Sequence, residues 1–279
     1  LEPDIFIELI SKKRDDTYIN YLLTKAVMAA NEAGEILKSY YDKPLHINFK
    51  GDIDIVTEAD IKSQETIQKI LNNDEYDIKF IGEENCIESW EIPDEPCWIV
   101  DPLDGTTNFA HSFPWFAVSI AYYDGKELQI GIVHAPLFDE TFVAVKNAGT
   151  YLNSTTIVTS SASQLKSSLL ATGFPYDVQK NPQKVMAAFN DVILKARGIR
   201  RAGAAALDLA YVAAGRLDGF WEIKLKPWDT AAGVLLVKEA GGIISDFGGA
   251  PFNFKKNSIL AANKNIHGQL KDILCNYNE

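Results

Sequence analysis

The sequence predicts an α+β fold of layered sheets sandwiched by helices, and three observations carry that prediction. Helical and extended segments alternate along the chain without the strict strand-helix-strand repetition of a doubly wound sheet. Three β-rich runs, Phe116 to Tyr123, Leu128 to His134 and Glu140 to Val145, are separated only by Asp124-Gly125 and by Pro136 to Asp139, which makes them an antiparallel meander. The chain has 279 residues, 47% of them apolar, enough to bury the core of one large domain or of two tightly joined lobes.

Residues 5 to 10 form a short amphipathic stretch set off by the charged run Ser11 to Asp16, so residues 1–17 are expected to be an N-terminal extension of a single domain covering 18–279. From Tyr18 to Tyr41, apolar residues including Leu22, Ala26, Ala29, Ala33 and Leu37 recur at helical spacing and stop before Pro44. Lys50-Gly51-Asp52 reads as a mobile loop, after which Thr57 caps a helix from about Glu58 to Leu71 with Asp60 in its first turn. Lys79 to Ile81 is a strand that delivers Gly82-Glu83-Glu84 to its end. Beyond the meander, the Ser/Thr-rich stretch 154–163 is expected to be a loop, within a seam near 145–165 that could separate a pair of lobes. Ser168 to Ala171, Asp218 to Ile223, Ile243 to Asp246 and Ser258 to Ala261 read as strands, with Ile199-Arg200 short and extended. Helices are expected from about Pro182 to Ala196, Ala205 to Ala214, Pro227 to Ala240 (stopped by Gly241-Gly242) and Ile266 to Cys275.

A net charge of −11 disfavours nucleic acid and anionic membrane as partners, while an anionic small substrate stays possible because bound divalent ions invert the sign locally. No apolar run is long enough to span a membrane, and the N-terminus lacks a signal-peptide pattern. Cys86, Cys97 and Cys275 are odd in number without metal or redox spacing, which fits buried thiols in a reducing cytoplasm.

The chemistry concentrates in Trp98 to Phe109, WIVDPLDGTTNF. Trp98 to Val100 read as a buried strand ending at Asp101, where Pro102 removes a ladder donor and Asp104-Gly105 turns the chain. Thr106-Thr107-Asn108 then offers N–H groups and hydroxyls at a helix start, a place for an anion, while the two carboxylates attract a hard cation. An Asp-Pro-x-Asp-Gly string is also an ordinary surface turn. The surroundings argue otherwise, because Asp60, Glu83 and Asp229 also stand at element ends and bring the carboxylates to five with no His or Cys among them. Such a set favours Mg²⁺ or Mn²⁺ over zinc, and two such ions can clamp a phosphate and activate a water. Phosphomonoester hydrolysis is the natural use. Taken singly, Glu83 beside Glu84 is ordinary solvated charge, and Asp60 and Asp229 are ordinary helix-start acids.

Together with GEE at Gly82 to Glu84, PWDTAAGVLLVKEAGG at Pro227 to Gly242, ATGFPYD at Ala171 to Asp177 and RRAGAAALDLAYVAAGRLDGFWEI at Arg200 to Ile223, the segment resembles the signature regions of the inositol monophosphatase family, its bacterial branch above all. The resemblance spans roughly residues 18 to 262. It implies an αβαβα sandwich of the sugar-phosphatase type, a lithium-sensitive Mg²⁺-dependent activity, and a homodimer. By motif position it puts Glu83, Asp101 and the carbonyl of Leu103 on a first ion, Asp101, Asp104 and Asp229 on a second, and a weaker third near Glu83. Thr106 would orient the water with Asp60 as its partner, and the N–H groups of Gly105 and Thr106 would receive the phosphate. Gly203, Ala205 and Glu222 would contact ring hydroxyls. Arg200 is the basic residue near them, in contact with substrate or in an ion pair between strand and helix. Ala204 stands where the family often has Ser or Thr. Lys50 would lie on a loop that closes over the site. His134 is expected to be a strand-end histidine, and Trp115, Trp221 and Trp228 to be core.

The expected activity is hydrolysis of myo-inositol 1-phosphate and related polyol or sugar monophosphates by metal-activated water. Fructose 1,6-bisphosphate, a 3′-phosphoadenosine nucleotide and histidinol phosphate are alternatives for the same site, with Arg200, Arg201, Arg216, Lys224 and Lys226 available to a second phosphate. A reading of another class is an interaction protein built on a phosphatase fold.

Overall fold

The structure is a computed structural model that describes residues 2–43, 47–49, 55–72, 76, 78–85 and 91–278. Lys50, Gly51, Asp52 and Cys86 lie outside the described residues. Among the described residues, the chain opens with α1 (Pro3–Ser11) and the long α2 (Thr17–Tyr40), passes through an antiparallel pair, β1 (Ile47–Phe49) and β2 (Ile55–Thr57), and enters α3 (Glu58–Leu71). Seven strands then form one sheet in chain order: β3 (Lys79–Gly82), β4 (Pro96–Asp104), β5 (Ala117–Asp124), β6 (Leu128–Ala135), β7 (Glu140–Val145), β8 (Gly149–Leu152) and β9 (Thr155–Ile157). The short helix α4 (Thr106–Ala110) lies between β4 and β5. The remaining elements are β10 (Leu169–Thr172), α5 (Gln183–Ile193), β11 (Gly198–Arg200), α6 (Ala205–Ala213), β12 (Gly219–Ile223), α7 (Pro227–Glu239), β13 (Ile243–Ser245), β14 (Ser258–Ala262) and α8 (His267–Leu274). Their strands make a second, five-stranded sheet ordered β11-β10-β12-β14-β13.

The layers follow from which faces are apolar. Along β4, Trp98 and Val100 point to one side, where they meet Leu22, Val27 and Leu37 of α2, while Ile99 points to the other, toward Leu209 of α6 and Leu236 of α7. A strand buried on both faces reads as a continuous apolar run, which is why β4 is legible without alternation. On the second sheet Phe220 faces the same central helices, whereas Trp221 and Leu260 face Val192 of α5 and Leu270 of α8. The result is helix, sheet, helix, sheet, helix, the αβαβα sandwich. β5, β6 and β7 form the antiparallel meander expected from their turns. α1 buries Phe6 and Ile10 in the cluster that α2 organises.

Two expectations need correction. The stretch 154–163 is not wholly loop, because Thr155 to Ile157 pair with Thr150 to Leu152. Thr155 and Thr156 are exposed on an edge strand, so no apolar alternation marks it. β8 and β9 therefore stay with the first sheet, and the chain crosses to the second over 158–164. Cys97 is buried, with its thiol pushed up to about 12 chiefly by burial, but Cys275 is exposed rather than a core thiol.

His134 is the strand-end core histidine expected of it. It is buried, its Nδ1 lies 2.9 Å from the Thr141 hydroxyl, and burial pushes its pKa down to about 4. Its ring lies against Gly34 of α2. In an open helix, replacing Gly by Ala stabilises by about 1 kcal/mol. Here the new Cβ would stand 2.6 Å from Cδ2 of His134 and 3.2 Å from Cβ of Pro136. Gly34→Ala is therefore expected to destabilise by about 1–3 kcal/mol net, read as a lower urea midpoint. A raised midpoint would contradict this helix-sheet contact.

Candidate active site

The sequence predicts that β4 ends at Asp101, but the structure carries it through Pro102 to Asp104. In β4, Asp101 pairs with Ser119 and Asp104 with Ala117, so three steps on one strand oppose two on the other. That bulge absorbs the missing donor of Pro102 and has a second effect. Residues three apart in a regular strand point to opposite faces, whereas one inserted residue turns Asp101 and Asp104 to the same side. Both are buried. The Asp101 Oδ1 accepts from the Leu103 N–H at 3.0 Å. Asp104 accepts from the N–H groups of Ala205 at 3.1 Å and Ala206 at 2.7 Å, at the start of α6, where the helix dipole favours a negative charge.

Gly105 follows with φ +97°, a left-handed conformation, and a Cβ there would stand 2.9 Å from the Trp115 carbonyl. It opens α4 and presents Thr106. The Thr106 hydroxyl lies 2.8 Å from Asp60 Oδ1 and 3.1 Å from the Leu103 carbonyl. A hydroxyl has one proton, and the shorter approach to a carboxylate takes it. Asp60 is held in turn by α3's capping box, accepting from the Thr57 N–H at 2.8 Å and its hydroxyl at 2.6 Å. Burial pushes its carboxyl up to about 6, against the opposing pull of those bonds.

Asp229 starts α7 and accepts from the Lys226 N–H at 2.7 Å, while Glu83 opens the turn after β3. The carboxylates feel one another strongly. Asp101 is raised well above its ordinary value by burial and then by Glu83, Asp104 and Asp229; Asp229 is raised well above by burial and then by Glu83. Asp104 is pushed up to about 7 by burial, with the α6 N–H groups pulling the other way. These are hard oxygen donors without imidazole or thiolate, and their mutual repulsion is what a bound dication relieves, so the donor chemistry fits Mg²⁺ or Mn²⁺. Among the described residues, no three acidic, histidine or cysteine side chains gather on one point closely enough to hold an ion, and Asp101, Asp104 and Asp229 each accept from backbone N–H groups.

Comparison with known proteins gives the family. A profile of the inositol monophosphatase family matches residues 20–279. The chain belongs to the inositol monophosphatase family. Inositol monophosphatase 2 of Solanum lycopersicum is 42% identical over 90% of this chain and 95% of its own. Nus factor SuhB of Salmonella typhimurium is 39% identical, covering 88% of this chain and 92% of its own. Among solved structures, extragenic suppressor protein suhB from Bartonella henselae superposes with a TM-score of 0.85 at 39% identity, over 91% of this chain and 98% of that one.

The residues expected on the substrate side are less uniformly placed. Gly203 and Ala205 flank the start of α6, with the Ala205 N–H committed to Asp104. Glu222 on β12 is buried against Gly173, so close that a Cβ on Gly173 would collide with its carboxylate. Arg200 is exposed and donates to the carbonyl of Ile199 at 3.2 Å. The arginine whose charge acts on Asp208 and Glu222 is its neighbour Arg201, stacked 5.6 Å from the Phe174 ring centroid. The motif places Arg200 nearest the ring hydroxyls, whereas the charge that acts on the two buried acids is that of Arg201, itself exposed and just past the end of β11.

Buried hydroxyls and amides beneath the site were also missed. Ser63 of α3 donates to the Pro102 carbonyl at 2.8 Å, and Ser119 of β5 to the Trp228 carbonyl at 3.1 Å, fastening α3 and α7 to the bulge. Gln64 holds the Glu83 turn by accepting from the Glu84 N–H at 3.0 Å and donating to Asn85 at 3.1 Å. Nothing in their local sequence separates them from solvated polar residues.

Asp208 of α6 was not anticipated either. It is buried, its Oδ1 and the Trp115 indole N–H both lack a hydrogen bond of good geometry, and burial and then the Asp104 charge raise its pKa well above the ordinary value against smaller pulls from Trp115 and Arg201. A carboxyl raised on folding costs stability as pH climbs past its unfolded value near 4. Asp208→Asn is therefore expected to be more stable than the parent by about 1–3 kcal/mol at pH 8, with less gain at pH 5, in urea titrations at both pH values. A parent that is the more stable at pH 8 would refute it.

Proposed function

We propose that the chain is a Mg²⁺-dependent phosphomonoesterase for myo-inositol 1-phosphate and related polyol or sugar monophosphates, with Mn²⁺ as a substitute ion. The observation that carries this is the Thr106–Asp60 bond of 2.8 Å set beside the mutually repelling Asp101, Asp104, Asp229 and Glu83. Relatives named inositol monophosphatase support the substrate class.

Glu83, Asp101 and the Leu103 carbonyl would hold one ion; Asp101, Asp104 and Asp229 would hold a second, and Glu83 would stand near a third. When bound, the ions supply the positive charge that draws in the phosphate, acidifies water and offsets charge in the transition state. The chain's own residues do the positioning. With its proton directed to Asp60, Thr106 keeps lone pairs to accept from the attacking water and aim it at phosphorus. The Gly105 and Thr106 N–H groups face phosphate oxygens. Gly203, Ala205 and Glu222 face the leaving alcohol, with Arg200 at the outer edge of the same segment. Residues 18–279 act as one phosphatase domain, with 1–17 an extension. No described helix is long and apolar enough to cross a membrane, and the working form is a cytoplasmic, lithium-sensitive homodimer.

A second reading, in which the fold also serves a macromolecular partner, draws support from relatives named Nus factor SuhB. A catalytically dead variant that restores the phenotype of a null strain would favour it.

Phosphate release should be followed across myo-inositol 1-phosphate, fructose 1,6-bisphosphate, a 3′-phosphoadenosine nucleotide and histidinol phosphate, with Mg²⁺ and with added Li⁺. The expected result is preference for the inositol ester, loss of turnover when the metal is chelated, and inhibition by Li⁺. Asp104→Asn and Asp229→Asn should each lower turnover at least about a hundredfold with unchanged circular dichroism. Activity near that of the parent in either variant would overturn the metal assignment.

A further inference from the structure

Asn108 stands two residues beyond Thr106 in α4, and its side chain reaches from the phosphate turn to the other half of the molecule. Its Nδ2 donates to the Trp115 carbonyl at 2.7 Å and to the Ala202 carbonyl at 2.8 Å, with the Gly203 carbonyl at 3.3 Å. An amide nitrogen carries two protons, so the two short bonds use both and the third acceptor shares one. The opposite amide orientation would set an oxygen against three carbonyl oxygens, so chemistry alone decides which end points inward.

The two sides of this bridge are not equally secured. α4 is anchored by Phe109, which is buried with its ring 4.9 Å from that of Phe116, and by Thr106 on Asp60. α6 is anchored from Ala205 onward by its N–H groups on Asp104. Between β11 and α6, Arg201 is exposed and Ala202 and Gly203 are only partly buried. The Asn108 amide ties the carbonyls of that segment to the phosphate turn. Removing it leaves the anchors of both helices in place and releases the segment.

We propose that Asn108 is a positioning residue for the leaving alcohol, its amide holding Ala202 and Gly203 at the distance from the phosphate turn that a polyol monophosphate spans. This rests on the polyol phosphatase reading given above. Asn108 touches neither phosphate nor alcohol. It acts through the 202–203 backbone, so its loss falls on recognition of the alcohol and spares recognition of phosphate.

The test compares the parent enzyme with Asn108→Ala and with Asn108→Asp, which keeps the shape and replaces the donor by an acceptor. For each, KM for myo-inositol 1-phosphate and the inhibition constant of inorganic phosphate are measured at saturating Mg²⁺, alongside the melting temperature. The expected result is a rise in KM of about tenfold or more in both variants, with the phosphate constant within about threefold of the parent's. An unchanged KM in Asn108→Asp, a parallel rise in KM and the phosphate constant, or failure of both variants to fold would each overturn the proposal. A parent enzyme that releases no phosphate from myo-inositol 1-phosphate would instead overturn the functional reading on which it rests.

Discussion

Like charges have to be kept together at the end of a buried strand, and most of what surrounds β4 serves that constraint. Asp101 and Asp104 close a strand packed on both faces. Burial raises the pKa of both; the charges of Glu83, Asp104 and Asp229 raise Asp101 further, and that of Glu83 raises Asp104. Against this stand backbone N–H groups: Leu103 on Asp101, the start of α6 on Asp104, and Lys226 on Asp229. Preorganised N–H groups hold a carboxylate in place without cancelling its charge, which leaves the charge available to a cation.

The same contacts join the two sheets. Asp104 belongs to the first sheet and its hydrogen-bond donors to the helix leading into β12 of the second. Ser119 on β5 reaches the first turn of α7, and Asn108 reaches the segment before α6. The site is thus the place where the halves are fastened, and a change there is felt in both packing and chemistry. The electrostatic strain extends beyond the proposed ligands, since Asp208 is raised by its own burial and then by the charge of Asp104. Such local costs are typical of sites where function overrides stability.

Much of this was legible in the sequence because it depends on short-range rules. Thr57 reads as the cap of a helix with Asp60 in its first turn, and α3 spans Glu58 to Leu71 as expected, with the two residues closing a capping box. Asp229 in the first turn of α7 and Gly105 before α4 follow from the same helix-end chemistry. The Asp60 to Thr106 partnership came from family resemblance, and the 2.8 Å contact across 46 positions has no local signature. β9 was missed because an exposed edge strand rich in Thr carries no apolar alternation.

By itself, then, the sequence determined most of the alternating elements, the burial of Trp98 to Val100, the five acidic residues at element ends and the family whose motifs they resemble, because propensity, capping and periodicity act within a few residues. Only the tertiary structure decided that a bulge at Pro102 turns Asp101 and Asp104 to one face, and that Arg201 rather than Arg200 influences Glu222. It also decided that Asp208 is buried with Oδ1 lacking a hydrogen bond of good geometry and that the amide of Asn108 spans the two halves. These depend on strand register and on contacts between segments distant in the chain, such as Asp104 with the start of α6 and Asn108 with Ala202, rather than on local sequence.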